Sequence, residues 1–190
     1  MTDTVKYSLT ALVVIIILFF VNQRLQSNLT IKTGKIFDGN YEDISGIQIS
    51  EKSKIIELIK SDSIWTLKGH DSLVVKENQL DKIFDKIVPL KKEMLITNKA
   101  EKWEKFGVDD SLARHIQVFD ENDNELLHYL FGNSGQDWQH NYMRKNNTSD
   151  VYRTNDNVYF LLNTNTTYWG TKPPKPEPEE DLNVPEPVTD

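Results

Sequence analysis

Residues 9–21, LTALVVIIILFFV, carry no charge and lie next to the N-terminus, and everything after them is polar. A segment of this kind has few outlets other than a membrane-spanning helix, which satisfies its own backbone hydrogen bonds in lipid. The Leu, Val, Ile and Phe side chains between Leu9 and Val21 each favour insertion by about 0.3 to 0.6 kcal/mol, roughly 3 to 7 kcal/mol together. Ser8 and Thr10 cost little, because their hydroxyls can bond back to the helix. Between Lys6 and Arg24 the helix spans about 26 Å, just under the roughly 30 Å hydrocarbon core. Both basic side chains can snorkel to the interfaces and close the gap. Cleavage as a signal peptide needs small residues in an A-x-A-like pattern, and the run instead ends FFVNQRLQSN. The expectation is an uncleaved signal anchor over residues 7–23, after a short flank at 1–6. Lys6 precedes the run, whereas Arg24, Lys32 and Lys35 follow it. Taken alone, that balance slightly favours the reverse orientation. A single N-terminal anchor before a long polar domain sets the expectation that the domain is extracytoplasmic (periplasmic).

Roughly 170 residues follow the anchor, enough for one domain with its own core. The chain has no Cys, so disulfides, thiolate metal sites, a Cys nucleophile and a lipid-modified Cys are all excluded. Net charge is −7, and there is no basic stripe, which sets nucleic-acid binding aside. The tail at 171–190, TKPPKPEPEEDLNVPEPVTD, holds six of the seven prolines and six acids against Lys172 and Lys175. Proline removes donors and the acids repel each other, so the tail is expected to be extended and disordered. A Pro-rich docking ligand is the functional alternative there.

Residues 24–43 read as a juxtamembrane linker or irregular lead-in, and 44–170 as the folded domain. SGIQIS alternates as a short strand through Ile47 and Ile49. Residues 54–60 and 64–68 flank Ser61-Asp62-Ser63 as a hairpin, with Trp65 and Leu67 on one inward face. Leu80, Ile83, Phe84, Ile87 and Val88 form one apolar stripe of a helix over 78–88, stopped by Pro89. A second helix is expected over 98–106, capped by Asn98 and stopped by Gly107, with Ala100, Trp103 and Phe106 inward. Residues 116–118 and 126–132 pair as a hairpin around the 120–124 turn, and 142–144 with 151–153 around Asn146-Asn147. Residues 158–162 lean towards a short helix, with Asn155 or Asp156 as its cap. The sum is an α+β fold of short antiparallel strands and hairpins, with two or three helices packed on one face.

The order of these signals resembles a bacterial family labelled domain of unknown function 4340. The pieces that carry the resemblance are the anchor, SGIQIS, IIELIKSDSIWTL with Trp65, QLDKIFDKIV, EKWEKFGVDDS, RHIQVFDENDNELLHYLFGNSG, NYMRK and DVYRT. Phe106-Gly107-Val108 followed by acids looks like the family's "fGl-D" corner. The resemblance covers residues 44–169. It implies a membrane-anchored extracytoplasmic α/β module, with some relatives similar to proteins associated with ABC transporters of the gliding-motility type. It carries over no catalytic residue.

The chemistry-bearing residues are sparse. Asp120, Asn122 and Asn124 fall at calcium-loop positions, but Glu125 stands where Gly is needed and Phe131 where Glu is needed, so a hairpin turn is the reading. His115, His128 and His140 are weak metal candidates: the first two can face each other across a hairpin, but none forms H-x-x-x-H or H-E-x-x-H. Surface or cross-strand histidines are the reading preferred for them. Trp65 and Trp103 read as core. Trp138, in the polar stretch GNSGQDWQH, is the weak ligand-binding candidate, with packing over a strand end as its structural alternative. No G-x-S-x-G, S-x-x-K set or P-loop is present. The pairs Asp109/Asp110 and Glu179/Glu180 read as solvated. No catalytic residue, metal or cofactor is expected. The leading expectation is a non-enzymatic, single-pass module that binds a membrane protein of a transport or envelope complex. The alternatives are a carbohydrate or envelope-ligand binding module and a hydrolase or metal enzyme.

Overall fold

The computed structural model describes residues 3–28, 34–134 and 138–174. The tail reading at 175–190 and the linker residues 29–33 lie outside them. Helix α1 runs Asp3–Asn28. Its segment Thr4–Arg24 has 21 residues at a hydropathy of 2.3, with none of it buried against the rest of the chain. At 1.5 Å per residue this is about 31 Å, long enough to cross a membrane. Ser8 and Thr10 donate back to the carbonyls of Thr4 and Lys6, each at 2.9 Å.

The domain is α+β and is built on an antiparallel sheet. The strands among the described residues are β1 Gly34–Lys35, β2 Gly46–Glu51, β3 Lys54–Ser61, β4 Ile64–Leu67, β5 Val74–Val75, β6 Lys91–Thr97, β7 Arg114–Phe119, β8 Glu125–Ser134, β9 Asn141–Lys145, β10 Val151–Thr154 and β11 Gly170–Thr171. Nine of them form one sheet in the order β1-β6-β10-β9-β8-β7-β2-β3-β4, and β11 pairs with β5 separately. Two runs of hairpins, β2-β3-β4 and β7-β8-β9-β10, thus lie side by side through β2 and β7. Asp62 and Ser63 both take positive φ, at 48° and 72°. That is the backbone a two-residue hairpin turn needs to match strand twist.

One face of the sheet carries the main core. Ile47, Ile49, Ile56, Leu58, Ile116, Val118, Leu127, Tyr129, Phe131 and Met143 are buried there. Helix α2, Glu77–Lys82, widens into a π turn over Ile83–Ile87 and lays Leu80, Ile83 and Ile87 on this core. The expected apolar stripe is therefore real, and its last turn is wider than an α-helix. Pro89 follows it, and β6 begins two residues later. Helix α3, Thr166–Trp169, plants Trp169 in the same core, with its indole N–H on the carbonyl of Asn163 at 2.6 Å.

The second helix expected over 98–106 is instead two 3-10 turns, Ala100–Lys102 and Glu104–Phe106. Asn98 does not cap them: the extended residue before the first turn is Lys99, and Ala100 is exposed. The ladder breaks at Trp103, whose ring lies on Arg144 and whose carbonyl accepts from Val108 N–H at 3.0 Å. The stop at Gly107 is as expected, left-handed at φ 63°. These turns cover the opposite face of the sheet from α2. There Val108 and Ala113 are buried with Leu130 and Val151. The two α-helices, α2 and α3, thus share the core face as expected, and these 3-10 turns lie on the other. Residues 158–162 form a 3-10 turn, Tyr159–Leu161. Its cap is neither Asn155 nor Asp156: Oδ1 of Asn141, on β9, accepts from the N–H groups of Val158 and Tyr159 at 2.7 and 3.1 Å.

Two further differences concern position. Residues 34–37, read as linker, supply β1 and two core side chains, Ile36 and Phe37. Strand β6 was not legible at all, since its burial follows no alternation.

Candidate functional site

Registers place the side chains of the sheet's second face in rows. Ile55, Ser50, His115, Leu130, Arg144 and Val151 stand opposite one another across β3, β2, β7, β8, β9 and β10. The turns at 100–113 cover only the Leu130–Val151 half of this row. Over β2, β3 and β4 the face is open. Ile55, Ile59 and Ile64 project there at 56%, 38% and 67% exposure. Beside them a cleft of about 670 Å³ includes Glu57, Lys68, Asp62, Asp120 and Glu121 in its walls. Lys68 is held in an ion pair by Glu57. Strand β4 forms one edge of the sheet, and β1 the other.

The covered half is clasped at Arg144, a charged side chain that is 2% exposed. Its Nε donates to the carbonyl of Val108 at 2.7 Å, and its guanidinium lies 3.9 Å from the Trp103 ring centre. Nη2 pairs with the largely exposed Asp110. Trp103 in turn donates through its indole N–H to Ser149 at 3.2 Å. Asp109 is not simply solvated: its Oδ1 accepts from Ser111 N and Oγ and from Leu112 N. Sequence reasoning missed this clasp. No local pattern signals it, since β9 has Asn141, Met143 and Arg144 buried, Tyr142 half-buried and Lys145 exposed.

His115 and His128 do meet on this face, diagonally across β7 and β8, with Nδ1 and Nε2 3.3 Å apart. Nδ1 of His128 lies 3.4 Å from Glu125, whose carboxylate also accepts from Gln117 at 3.0 Å. Burial holds both imidazoles below their ordinary pKa, and Glu125 partly offsets this at His128. His140 is elsewhere, 3.6 Å from Glu93 of β6. The structure thus brings two of the three histidines together. Among the described residues no group of three His, Asp or Glu side chains is placed to hold a metal ion. Asp120 accepts from Asn122 N, Asn124 N and Asn124 Nδ2 at 2.8–2.9 Å, which makes the calcium-like segment a hairpin turn. Trp138 is 72% exposed with φ 59°, and is not packed over a strand end. Its carbonyl accepts from Asn157 Nδ2 at 2.8 Å.

Comparison with known families finds a match over residues 65–183 to one described as "Domain of unknown function (DUF4340)". The matched stretch starts within β4 and takes in the covered half of the second face, the histidine pair and Trp138. Comparison with curated proteins and with solved structures gives no match.

Proposed function

The chain belongs to the DUF4340 family, a domain of unknown function, and from that premise we propose that it is a single-pass membrane protein. In this reading α1 is an uncleaved anchor and the α+β domain is an extracytoplasmic, non-catalytic module that docks onto a membrane protein of a transport or envelope complex. The observation that carries the reading is the open half of the second face. Three exposed isoleucines share one side of β3 and β4, at one edge of the sheet. Ile59 and Ile64 are diagonal neighbours and Ile55 lies beyond the Glu57–Lys68 pair on the same side; exposed apolar side chains set among charges in this way suit a protein-binding surface. The histidines support the same reading, since they engage each other and Glu125 and do not line the cleft.

The test is a photo-crosslinking residue placed at Ile59 or Ile64 in the full chain in cells, followed by detergent extraction and mass spectrometry. A single membrane protein captured in stoichiometric yield is the expected result. Recovery of the chain alone, as a monomer, from both positions would end this reading.

A further inference from the structure

The two ends of the sheet differ in character. At one end β7, β9 and β6 begin and β8 and β10 finish, and three large apolar side chains project from the loops there. Leu112, Trp138 and Phe160 are 46%, 72% and 62% exposed. The loops are fixed to one another. Asn157 donates to the Trp138 carbonyl, Asn141 caps the turn that carries Phe160, and Arg114, two residues after Leu112, donates to the Tyr159 carbonyl at 2.9 Å. Lys35 and Lys91 stand opposite each other at this end, and the β2–β3 turn adds Lys52 and Lys54. Carboxylates here are drawn into ion pairs, Glu51 with Arg114 and Asp156 with Lys86. At the other end the turns carry exposed Glu42, Asp43, Asp62, Glu121 and Asp123.

Strand β1 runs towards the apolar, basic end, and its first residue lies close to it. Gly34 stands opposite Lys92, and Lys92 opposite Thr154. Three strand spacings separate β1 from β9, so Gly34 lies about 14 Å across the sheet from the start of β9. Between Asn28, where α1 ends, and Gly34 the chain can reach about 20 Å at most. The end bearing Trp138 therefore lies within reach of the membrane that α1 would cross.

We propose that this end of the domain rests on that membrane, with Leu112, Trp138 and Phe160 in the headgroup–acyl boundary and the four lysines among anionic headgroups. Aromatic rings favour that boundary, and basic side chains near an anionic leaflet add attraction. The acidic end then points away from the surface. The proposal rests on α1 being an anchor.

Tryptophan fluorescence tests it, because α1 contains no tryptophan, Trp169 is buried, and Trp65 and Trp103 are half-buried. The full chain is reconstituted in vesicles of phosphatidylcholine with a minority of phosphatidylglycerol, the phosphatidylcholine brominated close to the headgroup. Flotation at alkaline pH is measured first. If the chain does not float with the lipid, the anchor reading fails and this inference falls with it. If it floats, bromine quenching of wild type that is mostly lost in Trp138→Phe is the expected result. Equal quenching of wild type and Trp138→Phe overturns the inference and leaves the anchor standing. Shielding of Trp138 from aqueous acrylamide without bromine quenching also overturns it, and points to a second copy of the chain as the cover.

Discussion

His115 and His128 give the clearest expectation at the scale of single residues. Burial sets both below the unfolded value of 6.5, so the unfolded chain binds more protons once the pH drops past that value. Stability therefore rises with pH through this window and levels off above it. Melting temperature should fall between about pH 7 and pH 5.5, and the His115→Gln, His128→Gln double variant should flatten that slope. Carboxylates act in a separate window. Burial pushes Asp109 up, but bonds from Ser111 and Leu112 outweigh it, and bonds from Asn124 and Asn122 hold Asp120 down. What these two contribute is lost only as the pH falls below 3.8. Arg144 offers a second test. Asp110 is solvated, so Asp110→Asn should cost under about 1 kcal/mol in urea unfolding. Arg144→Ala strands the Val108 carbonyl and empties the space under Trp103, which should cost about 3 kcal/mol. Arg144→Lys should not restore it, because an ammonium cannot stack as a planar guanidinium does. The pairing of His115 with His128 was readable, because one hairpin fixes both. The partner of His140 was not, because Glu93 sits on a strand that local pattern does not reveal.

Elements were legible where neighbours in sequence are neighbours in space. The β3–β4 hairpin, the β7–β8 hairpin and the apolar stripe of α2 all follow from periods of 2 and 3.6. Strand β6 does not, since its partners β1 and β10 lie far away in sequence and its register with β10 shifts twice. The 100–106 segment fails for a related reason: helical spacing was present, but the sheet beneath takes Trp103 as a lid on Arg144. Asn141 shows the same override, a buried side chain from one strand capping a turn after another. Gly132 marks where two such elements touch. A Cβ there would lie 1.9 Å from the Phe106 carbonyl oxygen. Gly132→Ala should therefore destabilise by about 2–3 kcal/mol or more, seen as a lower urea midpoint with an unchanged slope. The sequence pattern ends the 126–132 arm at this glycine, and only the position of the 3-10 turns shows what it makes room for.

At the scale of the molecule, the boundary of the folded body decides what can be studied apart from helix α1. Ile36 and Phe37 are 7% and 6% exposed, and burying two such side chains is worth roughly 3–6 kcal/mol. A fragment starting at residue 34 should melt cooperatively by circular dichroism. One starting at 44 should be largely unfolded at the same temperature, given that a domain's whole stability is about 5–15 kcal/mol. The place of β1 also bears on the order of events in synthesis. Residues 34–37 leave the ribosome before any other part of the sheet, yet their partner β6 is made roughly sixty residues later, about 3–12 s at ordinary elongation rates. β6 in turn gains its second neighbour only when β10 emerges. The first strand of this domain to be made is thus among the last to be paired, and until then Ile36 and Phe37 wait uncovered beside helix α1.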